Sequence, residues 1–242
     1  MEVCDVGQIY VERDGDRVFD HTKIILRDET GEYFYAKTSQ HKFQFSEIEI
    51  RSLDIATIPA EHIWPPVDPE FTRAPDPLPP TSYVKRPRLL YYDGGNTTST
   101  KYYDLILTEV KACEILSRHP HPNIAQYLGC IVNNERITGL CFEKYPVTLS
   151  QLLKNKTPFS KDSCLQGIEA GVNHMHSLGL VHNDLNLSNI MVDGDNAVII
   201  DFDSCKREGE PLGLKAGVEN RDYTMRQNDL DHFKEIQAVM MR

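Results

Sequence analysis

The spacing of apolar positions changes along the chain and predicts a succession of strands and helices. Residues 1–53 read as strands: TKIILRD and EYFYAK flank a turn-like ETG and form a hairpin. KFQFSEIEI then alternates apolar and polar residues from Phe43 to Ile50, the period of a half-buried strand. Residues 59–80 carry eight prolines and no glycine. Proline fixes φ and removes a backbone donor, so this segment is expected to be an extended connector, with Trp64 pinning it onto the domain. SYVKRPRLLYY predicts a strand, and DGGNTTST a flexible loop.

A helix follows in YYDLILTEVKACEILSRH, where Leu105, Glu109, Ala112, Cys113 and Leu116 share one face. A charged Glu109 on that apolar stripe needs a partner, because burying it unpaired is costly. HPHPNIAQYLGCIV and RITGLCFEKY read as strands joined at NNE. Ser160 caps a helix whose inward positions are Leu165, Ile168, Val172 and Met175, with Gly179 near its stop. Next come LVHNDL, then NIMV and AVIID joined by a tight DGDN turn, and a last helix over Asn228 to Met241.

Composition narrows the function classes. The 242 residues fit one domain, or one domain with an extension, and 40% apolar content supports a sizeable core. With 26 basic against 36 acidic residues the net charge is −10, which argues against nucleic-acid and anionic-membrane partners. No two of the six cysteines fall in a CxxC, and the reading is reduced core thiols in an intracellular, cytoplasmic protein, with the nucleus not excluded. Neither a signal peptide nor an apolar run long enough to span a membrane is expected.

The densest chemistry lies in HNDLNLSNIMVDGDNAVIIDFD, residues 182–203. Phosphoryl transfer from a nucleotide needs a carboxylate at the nucleophile, oxygen ligands for Mg²⁺, and a lysine to neutralise phosphates. Asp184, Asn189 and Asp201 fit the first two requirements. His182 reads as a packing residue that orients the loop, and His174 with His176 is poorly placed for shared metal ligation. His119 and His121, beside prolines, read as structural, and Cys205 as an unreactive thiol.

H-x-D-x-x-x-x-N, a two-strand hairpin and D-F-x together resemble the protein kinase superfamily, over residues 82 to about 236. The likeness is to its short, divergent, fungal-type members. HND stands where the family has H-R-D, and DFD where it has D-F-G. The resemblance gives Lys85, in YVKRP, the phosphate-pairing role, with Glu109 as its partner on the regulatory helix. Lys37 is a rival lysine, but lies 72 residues before Glu109, against 24 for Lys85. HPNIAQYLG resembles the segment after that helix, Phe142 the gatekeeper, Glu143 the start of the hinge, and Asp229 the anchor of the last helix.

The pattern also departs from the family. No glycine lies between Gly31 and Gly94, so the glycine-rich phosphate lid is missing and the proline-rich run stands in its place. Tyr83 replaces the small alanine that abuts the adenine. Asn183 replaces the arginine that reads an activation-loop phosphate, and Asn186 a lysine near the γ-phosphate. No A-P-E follows Asp201, and the chain stops before the last helices that shape a peptide site. Asp203 is also similar to the second acid of aminoglycoside and choline phosphotransferases.

The expected fold is therefore α+β: a bilobal, protein-kinase-like fold with a shortened C-terminal lobe. Its boundaries are a β-rich N-terminal extension over 1–58, a connector over 59–80, and a kinase-like domain over 81–242, split into a small lobe 81–145 and a helical lobe 146–242. The implied activity is transfer of the ATP γ-phosphate to a protein Ser/Thr hydroxyl. Asp184 and Asn189 would be catalytic, Lys85, Glu109 and Asp201 would hold ATP, and Asn189 and Asp201 would hold Mg²⁺. Two alternatives stand beside it: a weak or inactive pseudokinase that acts as a binding module for a protein partner, and a small-molecule phosphotransferase.

Overall fold

In the computed structural model the described residues are all but 93, 95–98, 213–222 and 242. The expected flexible loop DGGNTTST lies largely outside them. The chain divides into two compact units: Met1–Pro65 with Pro87–Asp104, and Pro66–Arg86 with Leu105–Arg242. Strands and helices are mixed, as an α+β reading requires.

The first unit is an antiparallel sheet, β1 (Glu2–Arg13), β2 (Asp16–Arg27), β3 (Tyr33–Thr38), α1 (Glu47–Arg51), β4 (Ile55–Ile58) and the single turn α2 (Ala60–Ile63). Its strand order is β1-β2-β3-β4. Asp14 and Gly15, both at positive φ, close the first hairpin between the paired Arg13 and Asp16. Ile24, Leu26 and Ile50 form its core, with Phe34, Phe45 and Ile55 packed on them.

Three expectations are corrected in this unit. Phe43 to Ile50 is no strand: Ser46 and Glu49 form a reciprocal capping box that starts α1, and local capping overrides the alternation. SYVKRPRLLYY is strand only up to Lys85, because Pro87 interrupts it; Leu89–Tyr91 is a 3₁₀ turn packed in the first unit. The connector contributes a helical turn at α2, and Trp64 packs on Tyr33 of the N-terminal sheet, ring centroids 5.8 Å apart.

The second unit holds β5 (Ser82–Lys85), most of α3 (Ser99–Ser117), β6 (Tyr127–Asn133), β7 (Arg136–Glu143), β8 (Val147–Thr148), α4 (Leu149–Asn155) and α5 (Lys161–Ser177). It continues with β9 (Leu180–Val181), β10 (Ile190–Asp193), β11 (Asn196–Ile199), β12 (Lys206–Arg207) and α6 (Arg226–Met240). β7 is the centre of the sheet β5-β7-β6, and β10 the centre of β11-β10-β8. Asn134 and Glu135, both at positive φ, close the β6–β7 hairpin, and Gly194 lies in the predicted turn between Asp193 and Asn196.

Helix α5 forms as its pattern demands. The Ser160 side chain accepts from Ser163 N–H, and Leu165, Ile168, Val172 and Met175 are all buried. Full burial of Ile168 and Met175 contributes about 1.5–3 kcal/mol each. Gly171 lets this helix approach β11: a Cβ there would meet Ile199 Cδ1 at 2.8 Å and Asn123 O at 3.0 Å. Asn123 fills the seam, donating from Nδ2 to Asn196 Oδ1 and Ala197 O, both at 2.8 Å. His174 stacks on His121 and its Nε2 lies 2.7 Å from His119 O, so these histidines are structural. Among the described residues, no helix is long and apolar enough to cross a membrane.

The polar centre of the second unit is Asp229 in α6, which is completely buried. Its Oδ2 is 2.9 Å from His176 Nε2 and accepts His182 N–H at 2.9 Å; its Oδ1 accepts Asn183 N–H at 2.8 Å. Burial pushes this carboxyl up, but the His176 hydrogen bond, the nearby His182 and the two backbone donors win, so it sits below its ordinary range. Such a group stabilises the fold at and above the ordinary aspartate range, and that contribution is lost as pH falls below it. Asp229→Asn is therefore expected to cost about 2–4 kcal/mol at neutral pH, because an amide cannot satisfy all three donors. Chemical denaturation across pH checks this: the gap between wild type and variant should be constant above about pH 4 and shrink below it.

Candidate functional site

Lys85 ends β5 with its side chain directed at the second unit's α3. Its Nζ donates to both carboxylate oxygens of Glu109, at 2.7 and 2.6 Å, and to Asp201 Oδ1 at 2.6 Å. Glu109 is 3% exposed, so its charge requires this neighbour. Burial alone would push the Lys85 ammonium down, but the carboxylates of Glu109, Asp201 and Asp203 outweigh it and hold the group above its usual range. Glu109 Oε1 also accepts the Phe202 N–H at 3.1 Å, and the Phe202 ring is fully buried. One helical carboxylate thus ties together β5, α3 and the DFD turn.

Asp184 and Asn189 lie on the loop between β9 and β10. Asn189 Nδ2 donates to Asp184 O at 2.8 Å and to its Oδ2 at 3.2 Å, while Asn186 Nδ2 reaches Asp184 Oδ1 at 3.4 Å. Two amides therefore aim the Asp184 carboxylate. Asn189 Oδ1, by contrast, makes no hydrogen bond among the described residues. Ile200 N–H donates to Asn189 O at 3.0 Å, and His182 Nε2 lies 2.9 Å from Ile200 O. These bonds join the HND loop to the segment that carries Asp201, so all five predicted residues belong to one hydrogen-bonded region of the second unit. Lys37 is exposed on β3 in the first unit and has no part in it.

Asn183 and Asp201 both adopt left-handed backbone, φ 64° and 66°, which Asn and Asp tolerate better than other side chains. Asn183 is buried and serves as a junction: Nδ2 donates to Ser204 O at 3.0 Å, and Oδ1 accepts from Asn228 Nδ2 at 3.0 Å. A neutral amide network occupies the position where the related pattern has a phosphate-reading arginine. Cys205 is buried, and burial pushes its thiol well up, so it is no accessible nucleophile.

The proline-rich run does not lie where a phosphate lid would. It crosses the β6 side of the sheet, where Arg73 forms a parallel bridge with Cys130. β5, at the other side, pairs only with β7 among the described residues. Tyr83 shares a strand face with Lys85, two positions on, and is 54% exposed. Its ring therefore does not plug a closed cavity. A pocket of about 680 Å³ lies elsewhere in this unit, lined by Leu116, Ile124, Tyr127, Glu143, Tyr145 and Asp193 among others; it contains none of the five residues.

Sequence reasoning missed Glu114, a second acid buried in α3 at 6% exposure, and its partner Thr72 in the connector. A lone glutamate five residues after another gives no periodic signal. No group of three or more His, Cys, Asp or Glu among the described residues is arranged to hold a metal on its own.

Comparison with known proteins fits this geometry. The family described as protein kinase domain matches residues 95–225, more than half of the chain. The match starts after Lys85, which the structure joins to the matched segment through Glu109. Similar proteins include the serine/threonine-protein kinase Tao of Drosophila melanogaster, 31% identical over 43% of this chain and 10% of that protein. The MAP kinase kinase kinase SSK2 of Saccharomyces cerevisiae is 29% identical over 57% of this chain and 9% of its own length. The mitochondrial serine/threonine-protein kinase PINK1 of Rattus norvegicus is 35% identical over 33% of this chain and 15% of its own. The chain thus spans only about a tenth of the length of the first two. The extent of the family match and the HND–DFD architecture lead to one assignment: this chain belongs to the protein kinase domain family.

Proposed function

We propose that the chain is an ATP- and Mg²⁺-dependent protein kinase that transfers the γ-phosphate to a Ser/Thr hydroxyl of a protein. The observation that carries this reading is the Lys85 ammonium, held 2.6–2.7 Å from both Glu109 and Asp201 beside the Asp184–Asn189 loop. In this reading the strand-rich part with α3 corresponds to the small lobe of a kinase, and the helices after residue 146 to the helical lobe.

The donor set suits the metal. Mg²⁺ prefers oxygen and is usually held by one or two protein groups, with phosphates and water completing the shell. Asp201 offers a carboxylate and Asn189 an Oδ1 with no other hydrogen bond among the described residues, so a preformed three-residue cage is not needed. When bound, Mg²⁺ supplies neutralisation of charge on the phosphate oxygens. Lys85 binds and orients phosphate, and Glu109 keeps the ammonium charged and in place. Asp184, aimed by the amides of Asn186 and Asn189, orients the acceptor hydroxyl and takes its proton. Catalysis of this kind is mostly positioning and charge neutralisation, so a missing lid lowers rate or affinity without removing the chemistry.

A specific observation favours a second reading, the non-catalytic binding module: β5 has no strand partner on its outer side among the described residues, where a phosphate lid would sit. Asp203, whose charge also acts on Lys85, keeps a small-molecule phosphotransferase in view as a third.

Nucleotide titration separates these readings. Binding to the native state stabilises by RT ln(1 + [L]/Kd), about 2.7 kcal/mol at a hundredfold excess over Kd. Millimolar ATP with Mg²⁺ is expected to raise the Tm of wild type, and Lys85→Met should remove most of that rise. An unchanged wild-type Tm would overturn the kinase reading. Asp184→Asn should keep the thermal shift while cutting transfer to Ser/Thr peptides about 10²–10⁴-fold. Undiminished turnover in that variant would show that another group accepts the proton. Labelling of free hydroxylated or amino metabolites, with peptides left unlabelled, would select the small-molecule reading instead.

A further inference from the structure

Helix α3 carries two buried carboxylates among the described residues, and the one paired with the lysine is only the first. Glu114 is 6% exposed, and both of its carboxylate oxygens accept from a single connector residue. Thr72 N–H donates to Oε1 at 2.7 Å, and the Thr72 hydroxyl donates to Oε2 at 3.0 Å. These are the only hydrogen-bond donors to that carboxylate among the described residues.

The connector is itself fixed to the sheet. Cys130 N–H donates to Thr72 O at 2.7 Å, and Ala74 N–H to Cys130 O at 2.9 Å. Upstream, Val67 N–H donates to Glu135 O at 2.9 Å. Gly129 makes the crossing possible: at φ 126° it presents no side chain, and a Cβ there would lie 2.5 Å from Ala74 N and from Arg73 C. The same stretch of chain then becomes β5 and delivers Lys85 to Glu109.

We infer that residues 66–80 form a strap that acts through Glu114, a positioning residue, to set α3 in the register where Glu109 meets Lys85. Glu109 and Glu114 are five residues apart, about 7.5 Å along the axis at 1.5 Å per residue. A second polar anchor that far along the helix resists sliding and pivoting more than the contacts at Glu109 do alone. The inference rests on the proposed nucleotide function for its consequence, but the strap's hold on α3 stands apart from it.

The test compares Thr72→Val with Thr72→Ser. Valine has nearly the shape of threonine but no hydroxyl; serine keeps the hydroxyl. Thr72 is exposed, so both variants should fold, and their melting curves verify it. Hydrogen exchange should be severalfold faster in Thr72→Val over residues 105–117, with the β10–β11 hairpin unchanged and Thr72→Ser close to wild type. Glu114→Met, which keeps the chain length but removes both acceptors, should give at least the valine result. Affinity for ATP with Mg²⁺ should fall about fivefold in Thr72→Val, the size of one typical intramolecular hydrogen bond at about 1 kcal/mol. In a Glu109→Gln background it should fall no further, because the strap would then have no pair to position. Unchanged exchange over 105–117, or a full affinity loss persisting in Glu109→Gln, overturns the inference. Should wild type bind no nucleotide, the kinase reading fails, and the exchange comparison alone decides on the strap.

Discussion

One half-buried cation organises the candidate site. The Lys85 ammonium sits against two carboxylates, and the buried one, Glu109, depends on it for a counter-charge. A glutamate at 3% exposure without a positive neighbour would be strongly destabilising. The triad spans β5, α3 and the DFD turn, so charge compensation is also what joins elements distant in sequence. Asp201 contributes to this balance while remaining a suitable oxygen donor for a divalent cation, and this overlap links folding to the proposed chemistry.

A fully buried charge, Asp229, gives the HND loop its shape. Asp229 gathers two successive backbone N–H groups and a histidine, which fixes the peptide that precedes Asp184. Asn183 extends the arrangement with neutral hydrogen bonds to Ser204 and Asn228. No phosphate is needed to complete these contacts, which suits a chain with asparagine where an arginine is usual. The loop, the DFD turn and α6 therefore share one polar core, while Glu109 and Glu114 each give α3 a polar attachment.

Much of this was legible in the residues, for physical reasons. Helix α5 follows from its Ser160 cap and apolar stripe, and the β10–β11 hairpin from its glycine-bearing turn. Glu109 stood out because a charge on an apolar face demands a counter-charge, and 24 residues leave room for the strand, loop and helix that bring Lys85 to it. Other features were hidden because they depend on contacts remote in sequence or on a local rule that outranks periodicity. The Ser46–Glu49 capping box overrode a convincing strand alternation. The Thr72–Glu114 contact joins residues 42 positions apart, with no motif to announce it. The course of the proline-rich run over β6 follows from the bare backbone at Gly129, and a glycine inside a strand pattern does not reveal what will lie on it.

The central claim is that Lys85, Asn189 and Asp201 converge on one metal-bound triphosphate. A crystal structure with Mn²⁺ and a non-hydrolysable ATP analogue tests it most directly, because anomalous scattering locates the metal independently of the nucleotide. The account predicts one Mn²⁺ peak bound by Asp201 and by Asn189 Oδ1, with a phosphate oxygen about 2.8 Å from Lys85 Nζ. A nucleotide bound away from Lys85, or a metal peak that touches neither Asn189 nor Asp201, would contradict it.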